Sequence, residues 1–135
     1  MEKETLVDNA FITMWYYPEK KIVHHTIHQY IYGETLRSAL MVGVNTLERH
    51  QASKWLSDDR SFAAVSKEDT EWGTEVWTPR AMAAGWRHWA IVLPKSVIGQ
   101  MSHRKMIAEY FSIGLNVEVF DDAEKGMAWL EEQEG

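Results

Sequence analysis

The sequence predicts an α/β fold in the element order β-β-α-β-α-β-α-β-α, a mixed five-stranded sheet with helices packed on it. Three observations predict it. Residues 21–31 alternate strictly: Val23, His25, Ile27, Gln29 and Ile31 point one way, and Ile22, His24, Thr26, His28 and Tyr30 the other, which is the period of a strand. Beyond Gly33, segments with helical spacing alternate with short β-rich runs, the pattern of parallel strands joined by helical crossovers. The run WRHWAIVL, residues 86–93, ends in a continuous apolar stretch closed by Pro94, as a strand covered on both faces does.

The elements follow in order. Residues 1–8 read as a short polar tail, and 9–135 as a single domain. Phe11 to Tyr17, FITMWYY, is aromatic and β-branched and reads as a strand. Pro18-Glu19-Lys20 turns the chain, so the first two strands make an antiparallel hairpin. From Glu34 to about Gln51, Leu36, Leu40, Gly43 or Val44, and Leu47 recur on one face of a helix. Lys54-Trp55-Leu56 is a short strand that ends in Ser57-Asp58-Asp59-Arg60-Ser61. Ser66 stands where an N-cap belongs, with Glu68 and Asp69 in the first turn of a helix running to about Trp77. Thr78-Pro79 starts a second, short helix that stops at Gly85. Residues 96–112 are helical, with Val97, Ile98, Met101, Ile107, Tyr110 and Phe111 as the apolar side and Gly114 as the stop. Leu115 to Phe120 alternates as a strand, and Asp121 or Asp122 caps a last helix carrying Met127, Trp129 and Leu130.

Composition removes several function classes. The chain has 135 residues, enough for one ordinary domain with a real core. It has no cysteine, so it has no disulfide, thiolate metal site or cysteine nucleophile. A net charge of -6 disfavours nucleic-acid binding by a broad basic surface. No apolar run approaches the roughly 20 residues of a membrane span, and the acidic start MEKETLVDNA is unlike a secretory signal. The expectation is a soluble, cytoplasmic protein. Elbow, phosphate-loop, dinucleotide and His-Glu-x-x-His signatures are missing, so neither catalysis nor a cofactor is expected.

Three of the six histidines, His24, His25 and His28, fall in one stretch. On a strand His24 and His28 share a face but stand ~13 Å apart, and His25 faces the other way. A metal needs its ligands within roughly 2.0–2.2 Å of one point. The stretch therefore reads as a strand that carries histidines, with no metal.

The element order, with a leading hairpin and a closing helix after an acidic strand end, resembles the STAS fold of anti-sigma-factor antagonists. More narrowly it is similar to a group of small bacterial STAS-like proteins related to the CRAL-TRIO lipid-exchange fold. Residues 54–60 (KWLSDDR), 84–94 (AGWRHWAIVLP) and 119–130 (VFDDAEKGMAWL) carry the resemblance. It implies a small regulatory or ligand-binding domain without a defined activity. In the antagonists a serine at the start of the helix after the third strand is phosphorylated. The corresponding region here is 58–66, where Asp59-Arg60-Ser61-Phe62 replaces the family's Asp-Ser-Ser-Gly. Ser61 and Ser66 are the candidates for that modification; the plainer reading of Ser66 is a helix cap.

Two further places could carry function. The carboxyl ends of the parallel strands gather Asp58, Asp59, Arg60, Lys95, Asp121 and Asp122 toward the sheet edge where α/β folds bind ligands; helix caps and solvated charges are the plainer reading. Trp72 and Trp77 are offset around one helix, with Met82 on the short helix that follows, so one indole can mark a partner surface or the lip of an apolar pocket. The first expectation is a non-catalytic domain acting by protein contact, as a homodimer or with another protein. The second is a carrier of a small apolar, lipid-like ligand. The third is an enzyme or cation site at the acidic strand ends.

Overall fold

The computed structural model describes all 135 residues. One sheet runs in the spatial order β1 (Glu4–Asp8), β2 (Ile12–Tyr17), β3 (Ile22–Ile27), β4 (Lys54–Asp58), β5 (His88–Val92) and β6 (Asn116–Phe120). β1, β2 and β3 pair antiparallel, and β3 to β6 pair parallel. The α/β class and the mixed sheet are as the sequence predicts, but the sheet has six strands, not five. The extra strand lies in the segment read as a polar tail. Glu4 to Asp8 pairs with β2 across a bulge between Thr5 and Val7. Leu6 and Val7 pack against the core, and the Lys3 ammonium lies 4.7 Å from the Trp15 ring centre. Two apolar side chains and an open edge on β2 outweigh the local polarity.

The strand alternation sorts the core into two layers. Val23, Trp55, Trp89 and Ile91 face the larger layer, under α1 (Gly33–His50), α2 (Lys67–Trp72), a π turn (Gly73–Trp77), α3 (Thr78–Ala84) and α4 (Val97–Ser112). Ile22, Leu56 and Ala90 face the smaller one, closed by Leu130 of α5 (Ala123–Glu132). α1 buries Leu36, Ala39, Val44 and Leu47. Gly43 is required where α1 crosses the sheet, because a Cβ there would overlap the Trp55 ring. Ser66 caps α2 through its Oγ, 3.1 Å from the Asp69 amide.

α4 departs from the expected pattern. Its expected apolar side divides: Ile107 and Tyr110 pack inward, while Val97, Ile98, Met101 and Phe111 are exposed, Ile98 by 75%. The residues it buries fully are Gly99 and His103. The reason lies in local chemistry. Gly99 lets the helix lie against the Ala63 carbonyl and Pro94, where any Cβ would collide, and His103 finds polar partners inside. No helix is long and apolar enough to cross a membrane.

Candidate functional site

A cavity of about 320 Å³ lies between the larger face of the sheet and the helices above it. Three strands supply its floor. β3 contributes His25, β4 contributes Trp55 and Ser57, and β5 contributes Trp89. Asp59 stands one residue beyond β4, and its amide still bonds the Val92 carbonyl at 3.0 Å. Asp59 therefore keeps the strand's alternation and faces the same way as Trp55 and Ser57. α4 forms one wall with His103, Met106 and Tyr110, and the π turn forms the opposite wall with Gly73 and Trp77. π turns put one extra residue into a helix and are frequent at functional sites.

A buried polar chain crosses the floor. The Trp55 indole donates to His25 Nδ1 at 3.0 Å, and His25 Nε2 meets Asp59 Oδ1 at 2.7 Å. Asp59 Oδ2 meets His103 Nε2 at 2.9 Å, and His103 Nδ1 meets the Gly99 carbonyl at 3.1 Å. The two ends of the chain fix its protons. An indole N–H can only donate, so His25 Nδ1 is a lone pair and its proton sits on Nε2. A carbonyl can only accept, so His103 Nδ1 carries a proton. One proton is left, on His103 or on Asp59. Burial pushes the Asp59 carboxyl up, but the imidazoles of His25 and His103 beside it outweigh burial and hold it well below the usual carboxylate range. Asp59 is the ionised centre of the chain, held between the two imidazoles.

The walls are aromatic and interlocked. Trp55 and Trp77 meet at 5.5 Å between ring centres, Trp77 and Trp86 at 5.3 Å, Trp86 and Trp89 at 5.6 Å, and Trp89 and Tyr110 at 5.3 Å. All four contacts are tilted or edge-to-face within the favoured range for aromatic pairs, with interplanar angles of 50° for Trp89 and Tyr110, 64° for Trp86 and Trp89, 73° for Trp77 and Trp86 and 88° for Trp55 and Trp77.

The residues singled out from the sequence scatter. Asp59 and Trp77 line the cavity; Asp58, Arg60, Lys95, Trp72 and Met82 do not. Asp58 points to the other face of the sheet, where it holds Arg60 through two bonds of 3.0 and 2.9 Å. Lys95 is exposed, and Asp121 and Asp122 pair with Lys125. The acidic strand ends thus do not form one cluster, because consecutive residues of a strand face opposite sides. Trp72 is half-buried beneath the Arg37 guanidinium at 5.6 Å, and Met82 is half-buried against the core. Ser61 is exposed, while the Ser66 hydroxyl is committed to Asp69. His24 lies on the sheet face opposite His25, against Trp15 and Tyr17. Burial, then the neighbouring His25, lower its pKa to about 3. No group of three acidic or histidine side chains has the arrangement of a metal site.

Ser57 and His103 were not singled out from the sequence, and His25 was weighed there only as a metal ligand. His25 had a signal, since it alternates in register with Val23 and Ile27 on the apolar side of its strand. His103 had one as well, one turn from Gly99 and one from Ile107. No family model, curated protein or solved structure matches this chain.

Proposed function

We propose that this protein is a STAS-like domain that binds a small, uncharged, largely apolar molecule in the cavity and does no chemistry on it. The observation that carries this reading is the cavity itself: about 320 Å³ walled by aromatic rings, at the low end of the usual size of small-molecule sites. A domain built only to fold would fill such a space. The polar floor supports binding over catalysis. A general base needs a free lone pair aimed at the substrate, and both nitrogens of His25 and of His103 are already spent on protein partners. The alternation of strands and helices from β3 onward supports the STAS-like kinship, and the lack of cysteine supports a cytoplasmic setting.

The test is equilibrium dialysis with 2-ethylnaphthalene on the wild-type protein and on Met106→Trp, which fills the cavity from the α4 side. The reading expects saturable one-to-one binding that Met106→Trp reduces at least ten-fold. No saturable binding, or equal binding to both proteins, would contradict it.

A second reading, contact with another protein or with a second copy, is favoured by the exposed outer side of α4. Val97, Ile98 and Met101 there are 72%, 75% and 68% exposed, and adjacent exposed apolar side chains of this kind mark contact surfaces.

A further inference from the structure

We infer that the molecule held in the cavity is a planar, uncharged aromatic compound whose buried end carries a hydrogen-bond acceptor, a carbonyl oxygen or its equivalent, that takes the Ser57 hydroxyl proton. This rests on the binding reading above and narrows the ligand class.

The hydrogen-bonding groups around the cavity select this ligand. Each indole N–H around the cavity is already committed to the protein. Trp55 donates to His25, Trp77 to the Leu40 carbonyl at 2.8 Å, Trp86 to the His88 carbonyl at 3.2 Å, and Trp89 to Ser57 Oγ at 2.9 Å. The tryptophans therefore offer a ligand only ring faces and edges, which select a flat aromatic partner. On the polar floor, His25 and His103 have no nitrogen to spare, and Asp59, an acceptor only, offers no proton to a ligand.

Ser57 is the exception. Its side chain lines the cavity and the residue is 3% exposed. One lone pair of its Oγ receives the Trp89 N–H, and its own proton has no acceptor in the protein. A hydroxyl carries one proton and two lone pairs, so Ser57 keeps a free donor facing the cavity. That free proton calls for an acceptor on the ligand.

Charge decides that the acceptor is neutral. His25 and His103 are both committed to Asp59, and Lys105 is exposed to solvent, so no buried cation is free to meet an anionic ligand. A carboxylate pushed to the floor would meet the Asp59 carboxylate without a cation of its own, which a buried site does not tolerate. A carbonyl costs little to desolvate by comparison.

Equilibrium dialysis with a matched pair tests this. 2-Acetylnaphthalene and 2-ethylnaphthalene have nearly the same shape and differ by the carbonyl oxygen. Ser57→Ala is expected to weaken binding of the acetyl compound about five-fold, the size of one hydrogen bond, and to leave the ethyl compound within about two-fold. Should Ser57→Ala prove unstable by its thermal midpoint, Ser57→Cys, a weaker donor of similar size, is expected to shift the same ratio in the same direction by less. An equal change for both probes, or none for the acetyl compound, overturns the inference while the binding reading stands. Failure of both probes to bind the wild-type protein overturns both.

Discussion

Asp59 and His103 meet at 2.9 Å between Oδ2 and Nε2, forty-four residues apart, and His103 is fully buried. This pair ties α4 to the end of β4. α4 forms one wall of the cavity, so the wall's position depends on a bond formed at the cavity floor. The other fully buried residue of α4, Gly99, supplies the carbonyl that orients His103. The helix is held by polar geometry on its inner side, which leaves four large apolar residues facing out.

The proton inventory of this pair makes a specific prediction. Asparagine at 59 can accept from His25 through its oxygen and donate to a neutral His103 through its amide, so every group stays paired. Asp59→Asn is expected to cost at most about 1 kcal/mol. Asp59→Ala leaves both imidazoles without their partner and is expected to cost about 3–5 kcal/mol. Urea denaturation of the two variants checks this; equal costs would refute the bridging of the two imidazoles by residue 59.

Stability should fall on the acid side in two stages. The His24 pKa is depressed to about 3 in the folded protein, against about 6.5 unfolded. The unfolded chain therefore takes up a proton as pH drops below about 6.5 while the folded chain does not, and stability declines by at most about 1.4 kcal/mol per pH unit. His24 is half-buried, so screening reduces that slope. Asp59, held below the usual carboxylate range, contributes stability that is present above about pH 4 and is lost as pH falls through its folded value. Thermal midpoints measured from pH 8 to pH 3 should show both stages, and His24→Gln should remove only the upper one.

Gly43→Ala tests the crossing of α1 over the sheet. In a helix this change alone is favourable by about 1 kcal/mol, but here the new methyl group overlaps the Trp55 ring. A net destabilisation of about 1–3 kcal/mol is expected, with altered near-ultraviolet dichroism as the indole moves. A stabilised variant would show that α1 has room to shift.

The outer side of α4 gives the opposite expectation. Ile98→Lys with Met101→Lys removes no buried contact and should change stability by less than about 0.5 kcal/mol. If this surface joins two copies, sedimentation velocity should show the wild type heavier than the double variant. Two identical monomers would exclude it as a self-association surface.

Much of the fold was legible from periodicity, because strands and helices impose different spacings on apolar residues. The Ser66 cap and the stop at Gly85 appear where local chemistry puts them, whereas the strand read over 21–31 forms only over Ile22–Ile27 and ends before His28. β1 was not legible, since a polar segment becomes a strand only by pairing with the open edge of β2 across a bulge. The inward side of α4 was not legible either: apolar periodicity cannot anticipate that a histidine is buried and four apolar residues are exposed. Asp59 was visible as one of several acidic residues at the strand ends. That it turns inward to two histidines from distant segments is a property of the tertiary fold.

The most direct test of ligand binding is native mass spectrometry of the protein purified gently from its own cells. A fraction of chains is expected to carry one extra small mass, released on denaturation, absorbing in the near ultraviolet, and missing from Met106→Trp. Bare chain mass alone, or an adduct equally present on Met106→Trp, would contradict it.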